Sequence, residues 1–172
     1  MKKIIIVLVS SLLCFCMKAQ QIECSFLQEK TIQASGRVIK SEGTISFTAP
    51  DQLAMLYTKP DGDYMIIDGP IIRSETKGNA VSINTDKNPS AKNLRNTLLN
   101  CITGKYEEAA KDNDADLKVS VKGQVKTVVI SAKTEQPKGY SRLLLEYDAK
   151  GRLQRMVMDE FGGISTEYKL KY

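Results

Sequence analysis

Apolar and polar residues alternate at every second position through most of this chain, the pattern of extended strands with one face in water. Leu117, Val119 and Val121 alternate with Lys118, Ser120 and Lys122, and Leu143, Leu145 and Tyr147 alternate with Leu144, Glu146 and Asp148. The same reading covers residues 43–48, 52–58, 63–68, 71–76, 80–85, 125–132, 152–158 and 164–171, with a first strand at 36–40. The sequence therefore predicts about eleven strands.

The connections predict how those strands pair. Pro60-Asp61-Gly62-Asp63, Lys77-Gly78-Asn79, Lys122-Gly123-Gln124, Asp148-Ala149-Lys150-Gly151 and Phe161-Gly162-Gly163 are short, and each offers a glycine for a tight turn. Links this short cannot make parallel crossovers, so the expectation is one long antiparallel meander. One segment departs from the rhythm. Between Asn88-Pro89-Ser90 and Gly104, Leu94, Leu98, Leu99, Cys101 and Ile102 recur at helical spacing, while Lys92, Asn93, Arg95 and Asn96 lie elsewhere on the wheel. Residues 105–111 read as a second short helix. An open sheet of this size must curl, and its apolar concave face needs a cover, which the leucine-striped helix can supply. The fold expected is mainly β with α: an incomplete, half-closed antiparallel barrel under one or two helices. Period alone leaves open whether that face is packed solid or keeps room for a ligand.

The first nineteen residues read as an export leader. Lys2 and Lys3 precede an apolar stretch from Ile4 to Leu13, too short to span a bilayer, and Met17-Lys18-Ala19 ends in a small residue suited to cleavage. Cys14 and Cys16 lack the small preceding residues that lipidation needs. The expectation is a leader over 1–19, cleaved after Ala19, and one domain over 20–172, delivered to the periplasm. The whole chain carries 25 basic and 20 acidic residues; three lysines leave with the leader, so 22 against 20 remain, a net charge of +2. Those lysines and arginines are mixed with acids, which gives no footprint for nucleic acid. Two cysteines follow the leader, Cys24 and Cys101. They leave two readings open: a disulfide tying the N-terminal segment to the helix, or two buried thiols.

The run from Phe26 to Gly69 carries the strongest functional signal. Phe26-Leu27-Gln28-Glu29-Lys30, Gly43, Phe47, Pro50, Leu53, Tyr57, Pro60 and Asp68-Gly69 follow in an order that resembles the outer-membrane lipoprotein carriers, the LolA-like family. Leu98-Leu99 before Gly104 is similar to that family's central helix, and Gly151-Arg152-Leu153 through Tyr168-Leu170 to its terminal hairpin. The resemblance implies a half-barrel with an apolar cavity that holds the acyl chains of lipoproteins, or lipid, in transit toward the outer membrane. Carried over by position, it implies lipid contact from Leu53, Met55, Tyr57, Met65 and Ile67, from Leu94 and Leu98 on the helix, and from Leu143, Leu145, Met156 and Met158. It also implies an inner-membrane export complex as donor, an outer-membrane acceptor, a monomeric chain and no cofactor. Four of the six methionines, Met55, Met65, Met156 and Met158, fall in strands, where flexible thioethers suit irregular ligands or fill gaps in a core.

Two departures qualify the resemblance. The family's best-known members place an arginine before the proline that ends the second strand, where it fastens the lid; here that residue is Ala49. They also place an amphipathic helix ahead of the Phe-x-Gln motif, whereas only residues 20–25 separate the expected cleavage point from Phe26, under two helical turns. The expectation is a more open cavity, covered by the 88–104 helix alone or by a partner.

Catalysis is not expected. The chain has no histidine, which removes the commonest general base and the Ser-His and Cys-His pairs. Asp61, Asp63, Asp159, Glu160, Asp112, Asp114 and Asp116 read as turn or solvated residues. Neither cysteine has a second thiol nearby for a metal or redox motif, and the Asp-rich loop lacks the glycine and distal glutamate of a calcium loop. The alternative to a carrier is a lipid-binding or envelope-sensing module on the same fold; a third class is a surface adhesion domain with a filled core.

Overall fold

The computed structural model describes residues 20–134 and 139–172; the expected leader and its cleavage site after Ala19 lie outside them. Eleven antiparallel strands form one sheet: β1 (Gln21–Ile32), β2 (Arg37–Thr48), β3 (Gln52–Lys59), β4 (Asp61–Asp68), β5 (Ile71–Thr76), β6 (Asn79–Asn84), β7 (Ala115–Lys122), β8 (Val125–Ala132), β9 (Tyr140–Tyr147), β10 (Leu153–Glu160) and β11 (Ile164–Lys171). Two helices, α1 (Pro89–Ile102) and α2 (Tyr106–Asp112), separate β6 from β7. The half-barrel expectation holds: the sheet is antiparallel throughout and does not close.

The strand count agrees with the sequence for a mixed reason. Residues 36–40 and 43–48 are one strand, β2, and β1 was not anticipated as a strand at all. The single meander is also corrected. The spatial order is β6-β5-β4-β3-β2-β1-β11-β10-β9-β8-β7, so two meanders are joined by the pairing of the first strand with the last. Strands β6 and β7, consecutive in the chain, lie at opposite edges, and the chain between them must cross the sheet.

Register defines the concave face, because directly opposed antiparallel residues share a side. One row runs Ile72, Ile67, Leu53, Phe47, Ile22; the next runs Met65, Met55, Ile45, Cys24. Across the β1–β11 junction it continues through Tyr168, Met156, Leu145 and Val128. Every strand from β1 to β5 and from β8 to β11 contributes to this apolar surface.

Gly43 sits where β2 and β3 approach most closely, at a register shift between Glu42 and Gly43. A Cβ there would fall inside the van der Waals envelope of the Leu56 carbonyl oxygen. Its bare backbone also lets its two cross-strand neighbours, Phe26 and Tyr57, meet edge to face with ring centroids 5.2 Å apart. Such a shift increases local twist and helps the sheet curl.

Helix α1 starts where the sequence predicts. The Asn88 side chain accepts from the Ala91 amide at 3.0 Å, and Pro89 occupies the first turn, where it has no hydrogen bond to lose. Gly104, at φ 74°, follows its end. The buried side chains of α1 are Ala91, Thr97, Leu98, Leu99, Cys101 and Ile102. The segment before Phe26 is strand, so no lid helix stands between residue 20 and the Phe-x-Gln motif. Gly43→Ala is expected to destabilise the fold by about 2 kcal/mol or more, read as a lower urea midpoint, because two backbones must separate to admit one methyl group; an unchanged midpoint would contradict the close approach.

Candidate functional site

The concave face and α1 together make the site. Leu53, Met55, Ile67, Leu98, Leu143, Leu145, Met156 and Met158 are all buried in one cluster, with Tyr57, Met65 and Leu94 half-buried against it. The structure thus brings all eleven anticipated contact residues together. Period two placed the strand residues on one face, and helical spacing turned Leu94 and Leu98 toward it.

The expected openness is not there. Between the sheet and α1, the space enclosed by Ile45, Leu53, Met55, Leu98, Ile102 and Met156 is about 20 Å³. That is room for one water, against roughly 300 Å³ or more in ordinary ligand pockets. Leu98 and Ile102 occupy the volume in which a ligand would lie. Beside this packed region is a larger groove of about 480 Å³, lined by Ser90, Asn93 and Leu94 of α1 and by Tyr140 and Glu160 at the ends of β9 and β10. Leu94 lines this groove and also packs against the buried core, so the groove lies next to the apolar interior.

Polar contacts fasten α1. Arg95, its side chain 19% exposed, donates through Nε to the Gly69 carbonyl and through Nη2 to Asp51 Oδ2 at 3.0 Å. Both acceptors lie in turns of the sheet, Asp51 directly after Pro50 and Gly69 after β4. Ala49 therefore does not leave the cover unfastened: the guanidinium comes from the helix and the acceptors from the sheet. On the helical wheel Arg95 lies away from the leucine stripe, and nothing local marks it as a fastener. Its partners are 44 and 26 residues away in the chain, beyond the reach of any local pattern.

At the far end of α1, the buried Tyr147 hydroxyl donates to the Cys101 carbonyl at 2.8 Å. Helix α2 is tied to α1 through Asn93 to Asn113 (3.0 Å), Asn113 to Thr97 (3.1 Å) and Asn96 to Asp112 (3.1 Å). The two helices form one polar-laced cover over an apolar face. Toward β1, Gln28 Nε2 donates to the Tyr168 hydroxyl at 2.9 Å, a polar contact on the concave side.

Cys24 and Cys101 are both buried free thiols, the second of the two readings that the sequence leaves open. Burial pushes the Cys101 thiol from the ordinary 9.0 up to about 12 and Cys24 up to about 11. It also raises the hydroxyls of Tyr140, Tyr147 and Tyr168 above the ordinary tyrosine range. These groups favour the fold in their neutral forms. Their contribution is complete below the unfolded-state values, near pH 9 for the thiols, and is lost as pH rises through them. The site offers an apolar surface, a covering helix and a neighbouring groove; its chemistry is that of burial.

A family model described as "Outer membrane lipoprotein carrier protein LolA" matches residues 17–172. Among solved structures, the chain is similar to a LolA superfamily protein from Nitrosomonas europaea at 8% identity, covering 90% of this chain and 86% of that one with a TM-score of 0.42. It is also similar to a DUF1329 family protein from Desulfovibrio piger (10% identity, 90% and 85% covered, TM-score 0.41) and to the lipoprotein LppX of Mycobacterium tuberculosis (11%, 87% and 84%, TM-score 0.36). No curated protein sequence matches the chain.

Arg95→Ala is expected to lower stability by about 1–2 kcal/mol and, in a Cys24→Ser background, to speed maleimide labelling of Cys101 about tenfold, because a loosened α1 exposes a thiol that is otherwise fully covered. Labelling at the unaltered rate would mean that Arg95 does not hold the cover down. Thermal melts should show a plateau at neutral pH and a falling midpoint above about pH 9, as the buried thiols and tyrosines are drawn toward ionisation; a flat profile to pH 11 would contradict their burial.

Proposed function

The chain belongs to the LolA family of outer membrane lipoprotein carrier proteins, and from that premise we propose that it binds the acyl chains of lipoproteins, or lipid, against the concave face of its half-barrel and carries them across the periplasm toward the outer membrane. The observation that carries this reading is the unbroken apolar face from β5 through β11 to β8, covered by two helices rather than by a second sheet.

The packed interior makes binding an exchange. Acyl chains enter as Leu98 and Ile102 leave, so the ligand replaces apolar contacts that α1 already makes. Each buried methylene contributes about 0.8 kcal/mol, so a chain of roughly fifteen gains on the order of 12 kcal/mol before that exchange. Releasing Arg95 from Asp51 and Gly69 costs about 1.5–3 kcal/mol per charged hydrogen bond. Part of that gain replaces the burial of Leu98 and Ile102, so the polar contacts of the helix set the balance between closed and loaded forms. Met55, Met65, Met156 and Met158 line the same face and adapt to chains of different length.

In this reading the leader through Ala19 exports the chain, residues 20–172 form the working domain, an inner-membrane export complex loads it and an outer-membrane acceptor unloads it. It acts by binding and release, without catalysis. The closed interior and the absence of an arginine at position 49 favour one alternative, a module that binds lipid and reports on the envelope without shuttling.

Adjacent residues on β3 provide the test, since Met55 is buried on the concave side and Leu56 is 48% exposed on the other. In native mass spectrometry with added triacylated lipopeptide, Met55→Glu should lower uptake by the folded protein at least about tenfold, because a charge in an apolar site costs several kcal/mol. Leu56→Glu should leave it intact. Equal effects, or no uptake by the unaltered chain, would sink the lipid reading. A spheroplast assay separates the alternatives: a carrier releases lipoprotein from the membrane, a sensing module does not.

A further inference from the structure

We propose that the β7–β8 hairpin is a docking edge for a bilayer surface rich in anionic headgroups. Strand β7 is one of the two edges of the sheet, paired only with β8 among the described residues. On the concave side Leu117 opposes Ile130 and Val119 opposes Val128. The β8 members of these pairs are buried, whereas Leu117, Val119 and Val121 are 36, 47 and 68% exposed. The apolar face therefore runs out from beneath α2 and ends in solvent along β7. Val125, past the turn, is 45% exposed as well.

Charge is one-sided here. From residue 117 to residue 134 there are four lysines and no aspartate or glutamate, in a chain whose basic and acidic residues are otherwise intermixed. Lys133 pairs with Asp114 at 3.2 Å, and Lys126 lies over the Tyr106 ring, 5.4 Å from its centroid. Lys118 and Lys122 make no ion pair among the described residues. Lysines alone would protect an edge strand from pairing with other chains. Val119 and Val121, exposed on the opposite face of the same edge strand, work the other way, and an edge that presents an apolar side and a cationic side matches an anionic membrane interface. The choice of a lipid surface over an acidic protein rests on the acyl-binding reading, because the stripe continues the face on which acyl chains would lie.

The test is flotation of the purified protein with vesicles of phosphatidylcholine alone or mixed in equal parts with phosphatidylglycerol. Binding is expected to the mixed vesicles, weakly to phosphatidylcholine, and to fall with added salt. K118E with K122E should reduce partition about tenfold or more, and Val119→Ser with Val121→Ser should also reduce it. All four positions are exposed, and the thermal midpoints of these variants should match that of the unaltered chain, which shows that they are folded. No adsorption by the unaltered chain, or equal adsorption by the lysine variant, overturns the proposal. So does a vesicle-independent dimer that Val121→Ser disrupts, since the occupant would then be a second copy. Adsorption with the expected salt and charge dependence but without lipopeptide uptake would support the docking edge and sink the acyl-binding reading alone.

Discussion

The antiparallel ladder between β1 and β11 is the contact on which the architecture depends. It runs through eight residue pairs, from Ser25 with Lys171 to Ile32 with Ile164, and joins two meanders that would otherwise be separate sheets. Placing the first and last strands side by side in the middle drives β6 and β7 to the outer edges. The chain between those edges then has to travel across the sheet, and it does so on the apolar side as α1 and α2. The cover over the concave face thus follows from strand order.

The cover is held by two kinds of force with different consequences. Leu98, Leu99 and Ile102 bury apolar surface that a lipid chain could bury equally well, so these contacts favour a helix over the face without specifying that it stays there. Arg95 with Asp51 and Gly69, and Tyr147 with the Cys101 carbonyl, are directional and fix its position. A ligand made of methylenes can replace the first kind and has nothing to offer the second. That division reconciles a packed interior, with room for about one water, with the proposed lipid binding.

Much of this was legible in the sequence, and the failures are informative. Inward residues such as Leu53, Met55, Leu143 and Met158 could be identified because a strand's period of two is set by the backbone itself. Strand β1 escaped because its inner face turns polar at Gln28 and Lys30, where the alternation fades; Gln28 is instead satisfied by the Tyr168 hydroxyl from β11. Strand β2 reads as two pieces because Ser41 and Glu42 interrupt the apolar pattern just before Gly43, and the reason for a glycine there, the Leu56 carbonyl beneath it, lies on another strand. Ala49 pointed to an unfastened cover, yet Arg95 fastens it from the opposite side.

By itself the sequence determined both helices and every strand but β1, which side of those strands is apolar, where α1 begins and ends, and the resemblance that identifies the family. These depend on local spacing, on turn residues and on caps, all of which act over a few positions. Only the tertiary structure decided that the sheet is two meanders joined at β1 and β11, that the interior is filled by α1, that the two thiols remain free, and that Arg95 spans to Asp51 and Gly69. Those outcomes depend on contacts between residues tens to more than a hundred positions apart, where burial and hydrogen bonding are settled by the fold as a whole rather than by any segment alone.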